Sequence, residues 1–278
     1  MKTRQIEEIL VARAASDGDG VRLMRVFGGQ DLARFDPFLM MDEFGSEEAS
    51  DYIGGFPAHP HRGFETVTYM LEGHMQHRDH MGNVGELRNG DVQWMTAGSG
   101  VIHSEMPQQK DGRMRGFQLW LNLAARDKMQ KASYRDVAAG DIPVYEQPGV
   151  RIKAIAGQLD GIQGLIQREV TEPVLLDIDV SGEHYHGEFA VADGDTVLVY
   201  VYEGEVEVGG TRVGKSRMAR LSRTGLVSLA AKGPARVLLI AGKPLKEPIV
   251  HYGPFVMNTR EEIEQALIDY RDGKLTSR

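Results

Sequence analysis

Residues 66–73 read Thr-Val-Thr-Tyr-Met-Leu-Glu-Gly, and residues 196–204 read Thr-Val-Leu-Val-Tyr-Val-Tyr-Glu-Gly. Both stretches are short, apolar and rich in β-branched and aromatic residues, which suit a buried, pleated strand. Both end in Glu-Gly, and a glycine-containing turn follows each. A strand closing on Glu-Gly is a simple pattern, but its occurrence in each half of the chain predicts two similar β domains. Outward from these strands the texture repeats. Apolar runs at Val21–Phe27, Val92–Met95, Gly116–Leu123, Val174–Val180 and Val237–Ala241 are separated by turn residues such as Gly90-Asp91, Gly194-Asp195 and Gly209-Gly210. Short strands at roughly 8–12-residue spacing predict an all-β sandwich or barrel.

One helix stands out. Thr259 is a good N-cap, and Glu262 three residues later completes a capping box. Ile263, Ala266, Leu267 and Tyr270 then form one apolar stripe, and Gly273 is a stop signal. The pattern predicts a helix over 259–272, packed on the outside of a barrel. The polar segment Ala124–Pro148 reads as a connector, which divides the chain into domains 1–140 and 141–278 with the helix in the second.

The 278 residues include no cysteine, which excludes disulfides, thiolate metal sites, iron–sulfur clusters and cysteine nucleophiles. No run approaches the roughly 20 apolar residues of a membrane span. The first residues, MKTRQIEEILVARAAS, carry acids where a secretion signal is apolar, so a cytoplasmic protein is expected. A net charge of −8 with no basic cluster argues against direct binding to nucleic acid. Gly98-Ser99-Gly100 lacks the flanks of a nucleophile elbow, and neither a Walker A motif nor a dinucleotide fingerprint is present.

The histidines carry the chemistry. His59 and His61 are one residue apart, and Glu65 lies four beyond; on an extended chain 59, 61, 63 and 65 share a face. His103 and Glu105 repeat the spacing in Val-Ile-His-Ser-Glu-Met. A lone His-x-His pair is commonly a pair of surface histidines. Two such pairs beside glycine-rich turns predict three imidazoles and a carboxylate converging in one barrel, a set suited to Fe, Mn, Ni, Cu or Zn. Spacing alone does not choose between Glu65 and Glu105. His74, His77 and His80 read as a solvated hairpin, with His77 or Asp79 as a group that could orient a ligand at the barrel mouth. His184 and His186 have no partner pair in Leu226–Lys232, so the second domain is expected to be metal-free. His251 reads as a structural histidine.

Residues 55–73, Gly-Phe-Pro-Ala-His-Pro-His-Arg-Gly-Phe-Glu-Thr-Val-Thr-Tyr-Met-Leu-Glu-Gly, resemble the first metal motif of the pirin family. Residues 90–107, Gly-Asp-Val-Gln-Trp-Met-Thr-Ala-Gly-Ser-Gly-Val-Ile-His-Ser-Glu-Met-Pro, resemble its second. Asp36–Phe44 and Gly253–Thr259 are also similar to pirin segments, so the likeness spans about residues 20–273. The resemblance implies a bicupin: two antiparallel β-barrels of jelly-roll type facing each other, with one divalent metal in the N-terminal barrel. It implies His59, His61, His103 and Glu105 as ligands. It places Glu65 behind them, orienting a ligand or bound water. It implies iron(II) first, with Mn, Ni, Cu or Zn as substitutes. The implied activity is a dioxygenase of the quercetin 2,3-dioxygenase type, using a small aromatic flavonol and O₂, with Glu105 or neighbouring Glu65 as proton acceptor. The alternative is a non-enzymatic, redox-sensing metalloprotein that regulates a protein partner, either a transcription factor or a metabolic enzyme. A monomer is expected.

Overall fold

The computed structural model describes residues 2–29 and 31–277. The chain forms two compact units: one holds residues 13–139 and 246–278, the other residues 1–12 and 140–245. In the first unit a seven-stranded antiparallel sheet runs Ser133–Val137, Val92–Thr96, Phe64–Glu72, Met114–Asn122, Phe38–Ser46, Val21–Phe27 and Arg13–Asp17. A four-stranded sheet runs Phe56–His61, Val101–Pro107, Met75–Asp79 and Val84–Leu87. The two sheets make the jelly-roll sandwich of a cupin.

The second unit repeats this order. Its seven strands are Ile6–Val11, Arg217–Leu221, Thr196–Glu203, Ala235–Gly242, Val174–Val180, Val150–Ala156 and Val144–Gln147. Its four are Tyr185–Phe189, Val227–Ala231, Glu205–Val208 and Thr211–Gly214. The two stretches ending in Glu-Gly, 66–73 and 196–204, form the third strand of each large sheet. Their runs are apolar because each lies between two neighbours and is covered by the core. Val197, Val199 and Val201 join Leu221, Val227, Leu229 and Leu239 in an apolar cluster that fills the second unit between its sheets. Each such side chain contributes about 1.5–3 kcal/mol on burial.

The expected division at residue 140 needs correction at both ends. Ile6–Val11 pairs with Arg217–Leu221 and so closes the large sheet of the second unit. Arg4 anchors it there, its buried guanidinium donating to the carbonyls of Gly225 at 2.9 Å, Ser222 at 2.7 Å and Ala192 at 2.7 Å. The helix, Arg260–Arg271, belongs instead to the first unit, where Ile263 and Ala266 pack with Phe255, Met257 and Leu275. Its predicted capping box is present: Thr259 Oγ1 accepts from the Glu262 amide, and the Glu262 carboxylate accepts from the Thr259 amide. The supposed connector contains Ser133–Val137 and Val144–Gln147, an edge strand for each large sheet. Their polar alternation is that of edges with one wet face. Among the described residues no helix is long and apolar enough to cross a membrane.

Candidate metal centre

The strands Phe56–His61 and Val101–Pro107 are antiparallel neighbours, with Val101 opposite His61 and His103 opposite His59. Residues directly opposite share a face of the sheet, as do residues two apart on one strand. His59, His61 and His103 therefore converge. Their ring centroids lie 4.4 Å (His59–His103), 4.7 Å (His59–His61) and 4.9 Å (His61–His103) apart. One ring nitrogen from each falls in a set within 4.8 Å of one another.

The protonation of these rings follows from their surroundings. Burial holds His61 well below the ordinary imidazole range, reinforced by His59 and opposed by the Pro254 carbonyl. Burial does the same for His103, reinforced by His61, His59 and His77. Both are neutral bases at physiological pH, with a lone pair to give. His61 Nδ1 and His103 Nε2 are buried without a hydrogen-bond partner. Half-buried His59 has its Nδ1 2.8 Å from the Pro57 carbonyl, which places the proton there and leaves Nε2 as a donor of electrons. Three converging imidazoles, two of them neutral with an orphaned buried nitrogen, fit a divalent first-row cation.

Glu105 stands beside this set but outside the converging group. It is buried, with Oε1 3.0 Å from the Thr68 hydroxyl and Oε2 accepting from Gln118 Nε2 at 3.2 Å. Glu65 is placed differently from the extended-chain reading. The strand ends at His61, and Gly63 turns the chain at φ +90°, where an added Cβ would stand 2.0 Å from the Val256 carbonyl oxygen. That turn, open only to glycine, carries Glu65 into the large sheet, where it accepts from Thr96 Oγ1 at 2.6 Å.

Two buried cations hold the turn. Lys128 donates to the carbonyls of Gly63 at 2.7 Å and Val256 at 3.0 Å and to Asn122 Oδ1 at 2.6 Å. Burial lowers its ammonium to about 7, opposed by Glu247 and Glu262. Arg62, between His61 and Gly63, donates to Ser99 O at 2.5 Å and pairs with Asp269 of the helix at 2.8 Å.

A cavity of about 720 Å³ opens at the histidines, lined by His59, His61 and Glu105. Leu39, Phe44, Phe56 and Trp120 supply apolar wall, and the Trp120 ring meets His61 edge-on at 5.5 Å. Arg25 and Asp42 form a polar corner, joined by two hydrogen bonds of 2.9 and 2.8 Å. This size and lining suit a small organic ligand. His251 also lines the cavity and is exposed, unlike the structural histidine expected of it.

Sequence reading missed several participants. His77 is fully buried rather than solvated, whereas His74 is half-buried against Glu86 and His80 is exposed. The signal for His77 was its alternation with Met75, which points both inward. Thr68 and Gln118 were concealed inside apolar runs, and Lys128 inside the apparent connector. In the second unit His184 and His186 are exposed.

Family models match the chain twice: Pirin over residues 20–121, and the Pirin C-terminal cupin domain over residues 175–276. The chain is 55% identical over 282 residues to a Pseudomonas aeruginosa protein named "Putative quercetin 2,3-dioxygenase", covering 98% of each. The crystal structure of a quercetin 2,3-dioxygenase from Acinetobacter baumannii superposes with a TM-score of 0.90 at 34% identity, over 99% of both chains. A bacterial pirin from Escherichia coli, solved in complex with nickel(II), shares the fold at 22% identity and a TM-score of 0.66, over 85% of this chain and 98% of that one.

Proposed function

This chain belongs to the pirin family, and we propose that it is a metal-dependent dioxygenase acting on quercetin-type flavonols with O₂. The observation that carries this reading is the exposure of His59, His61 and Glu105 to a largely apolar cavity of about 720 Å³. His59, His61 and His103 would hold one divalent ion, iron(II) in the first place, with Glu105 as a fourth ligand. When bound, that ion supplies Lewis acidity toward a substrate hydroxyl and a redox couple for O₂. The remaining tasks fall to the chain. Leu39, Phe44 and Trp120 bind the flat ring system by apolar contact and exclude water. Glu105 takes the proton of the substrate hydroxyl. Thr68 has one hydroxyl proton and two acceptors, Glu105 Oε1 at 3.0 Å and Gln118 Oε1 at 2.7 Å. Turning it to Gln118 frees Glu105 Oε1 to accept. Glu105 rather than Glu65 has this role, because Glu105 lines the cavity while Glu65 is bonded to Thr96 in the large sheet.

The test is O₂ uptake with quercetin by protein loaded anaerobically with Fe(II), Mn(II), Ni(II) or Cu(II), beside His61→Ala. Uptake should track metal content and vanish in the variant. No uptake in protein holding one ion per chain would overturn the enzyme reading in favour of the redox-sensing regulator.

A further inference from the structure

His77 is a buried imidazole that the chemistry above leaves unused. Its strand, Met75–Asp79, pairs antiparallel with Val101–Pro107 on the side away from His59 and His61, placing His77 opposite Glu105 and Asp79 opposite His103. His77 Nδ1 lies 3.3 Å from His103 Nδ1, with ring centroids 4.9 Å apart. Its other nitrogen, Nε2, is buried without a partner. The Tyr134 ring flanks it at 5.4 Å, and Glu105, Asp79 and Asp136 act on it electrostatically, opposed by His59.

Two facing Nδ1 atoms at hydrogen-bond distance share one proton; two lone pairs or two N–H groups would repel. A neutral pair therefore has two arrangements. If His77 donates, the proton of His103 sits on Nε2, a buried N–H with no acceptor and no lone pair for a metal. If His103 donates, its Nε2 presents a lone pair to the converging set and the proton of His77 lies on Nε2. That Nε2 is buried without an acceptor as well, so the two arrangements differ in one respect: only the second leaves His103 a lone pair for a cation.

We infer that His77 is a positioning residue for the metal centre, accepting the Nδ1–H of His103 so that His103 Nε2 is held as a ligand in one tautomer and one ring orientation. The inference rests on the metal centre proposed above. A ligand histidine whose second nitrogen is fixed by a hydrogen bond binds more tightly than a free one, and loss of such a partner costs about 10–100-fold in affinity.

The experiment measures Co(II) and Zn(II) affinity by chelator competition on the full-length protein, together with the apo melting temperature. The proteins are wild type, His77→Leu and His77→Asn. His77→Leu fills the space without an acceptor and should weaken binding about 10–100-fold, while His77→Asn, whose amide oxygen can take the place of Nδ1, should stay within about threefold of wild type. Affinity that merely follows the melting temperature in both variants would make His77 structural and overturn the inference. Equal affinity in His77→Leu and wild type would overturn it too, leaving the metal centre intact. A wild type that binds neither ion would remove the centre and the inference together. Should His77→Leu not fold, ¹⁵N-histidine NMR of the Zn(II)-loaded wild type decides: the proton must be on His103 Nδ1 and His77 Nε2, and a protonated His77 Nδ1 refutes the assignment.

Discussion

The two units share one strand order and differ in what fills the space beside the small sheet. In the first, the second strand of that sheet, Val101–Pro107, turns His103 and Glu105 inward. In the second, the strand in the same place, Val227–Ala231, buries Val227, Leu229 and Ala231 in an apolar cluster. One scaffold thus accepts either interior. The apolar one gains about 1.5–3 kcal/mol for each large side chain it buries. The polar one carries buried nitrogens on His61, His77 and His103 with no partner, each costing about 1–3 kcal/mol unless something binds. The first unit is therefore the one in which a bound ligand would add to folding stability.

That contrast can be broken most severely from the apolar side. Leu229→His, which places an imidazole in the second unit without convergent partners, should cost about 4 kcal/mol from lost packing and an unpaired polar group. It should confer no metal affinity, as denaturant unfolding and Co(II) titration will reveal. A variant that bound Co(II) tightly would mean the scaffold alone makes the site. Next in size is Lys128→Met, which strips the Gly63 and Val256 carbonyls of their donor and should cost about 3 kcal/mol. Hydrogen exchange should place that loss in residues 13–139 and 246–278 and leave the second unit protected.

Acidification separates the units without mutation. His61 and His103 accept a proton only well below 6.5 when folded but near 6.5 when unfolded. Below 6.5 the unfolded chain therefore binds more protons, so the apo first unit loses stability as pH falls from that value. Among its described residues the second unit buries no histidine. Hydrogen exchange of apo protein at descending pH should show the first unit opening earlier, and simultaneous opening would contradict the assignment of the buried imidazoles. The smallest effect tests where the helix belongs: Thr259→Ala removes the cap and should cost about 1 kcal/mol, again with the exchange confined to the first unit.

Much of this protein was legible in order along the chain. The paired Glu-Gly strands announced a duplicated β architecture, and Val21–Phe27 and Val174–Val180 fall where their apolar runs predicted. The capping box at Thr259 was equally plain. These are local properties, set by the period of side chains along a strand or helix and by the needs of a helix end. The same periodicity located His59, His61 and His103, because residues two apart on a strand must share a face.

What local pattern did not contain was decided by pairings between distant segments. Glu65 and Glu105 are alike in spacing, and only the left-handed turn at Gly63 sends one to the large sheet while the other lines the cavity. The chain ends join the units farther from them in sequence, because Ile6–Val11 completes one sheet and Arg62 binds Asp269 of the helix in the other. His77 and Lys128 look like surface residues in polar segments until register and packing close over them, and a buried nitrogen acquires its role from whatever neighbour lies within 3.3 Å. Donor identity and strand period belong to the sequence; burial, tautomer and the choice between two carboxylates belong to the tertiary structure, because each depends on atoms brought together from far along the chain.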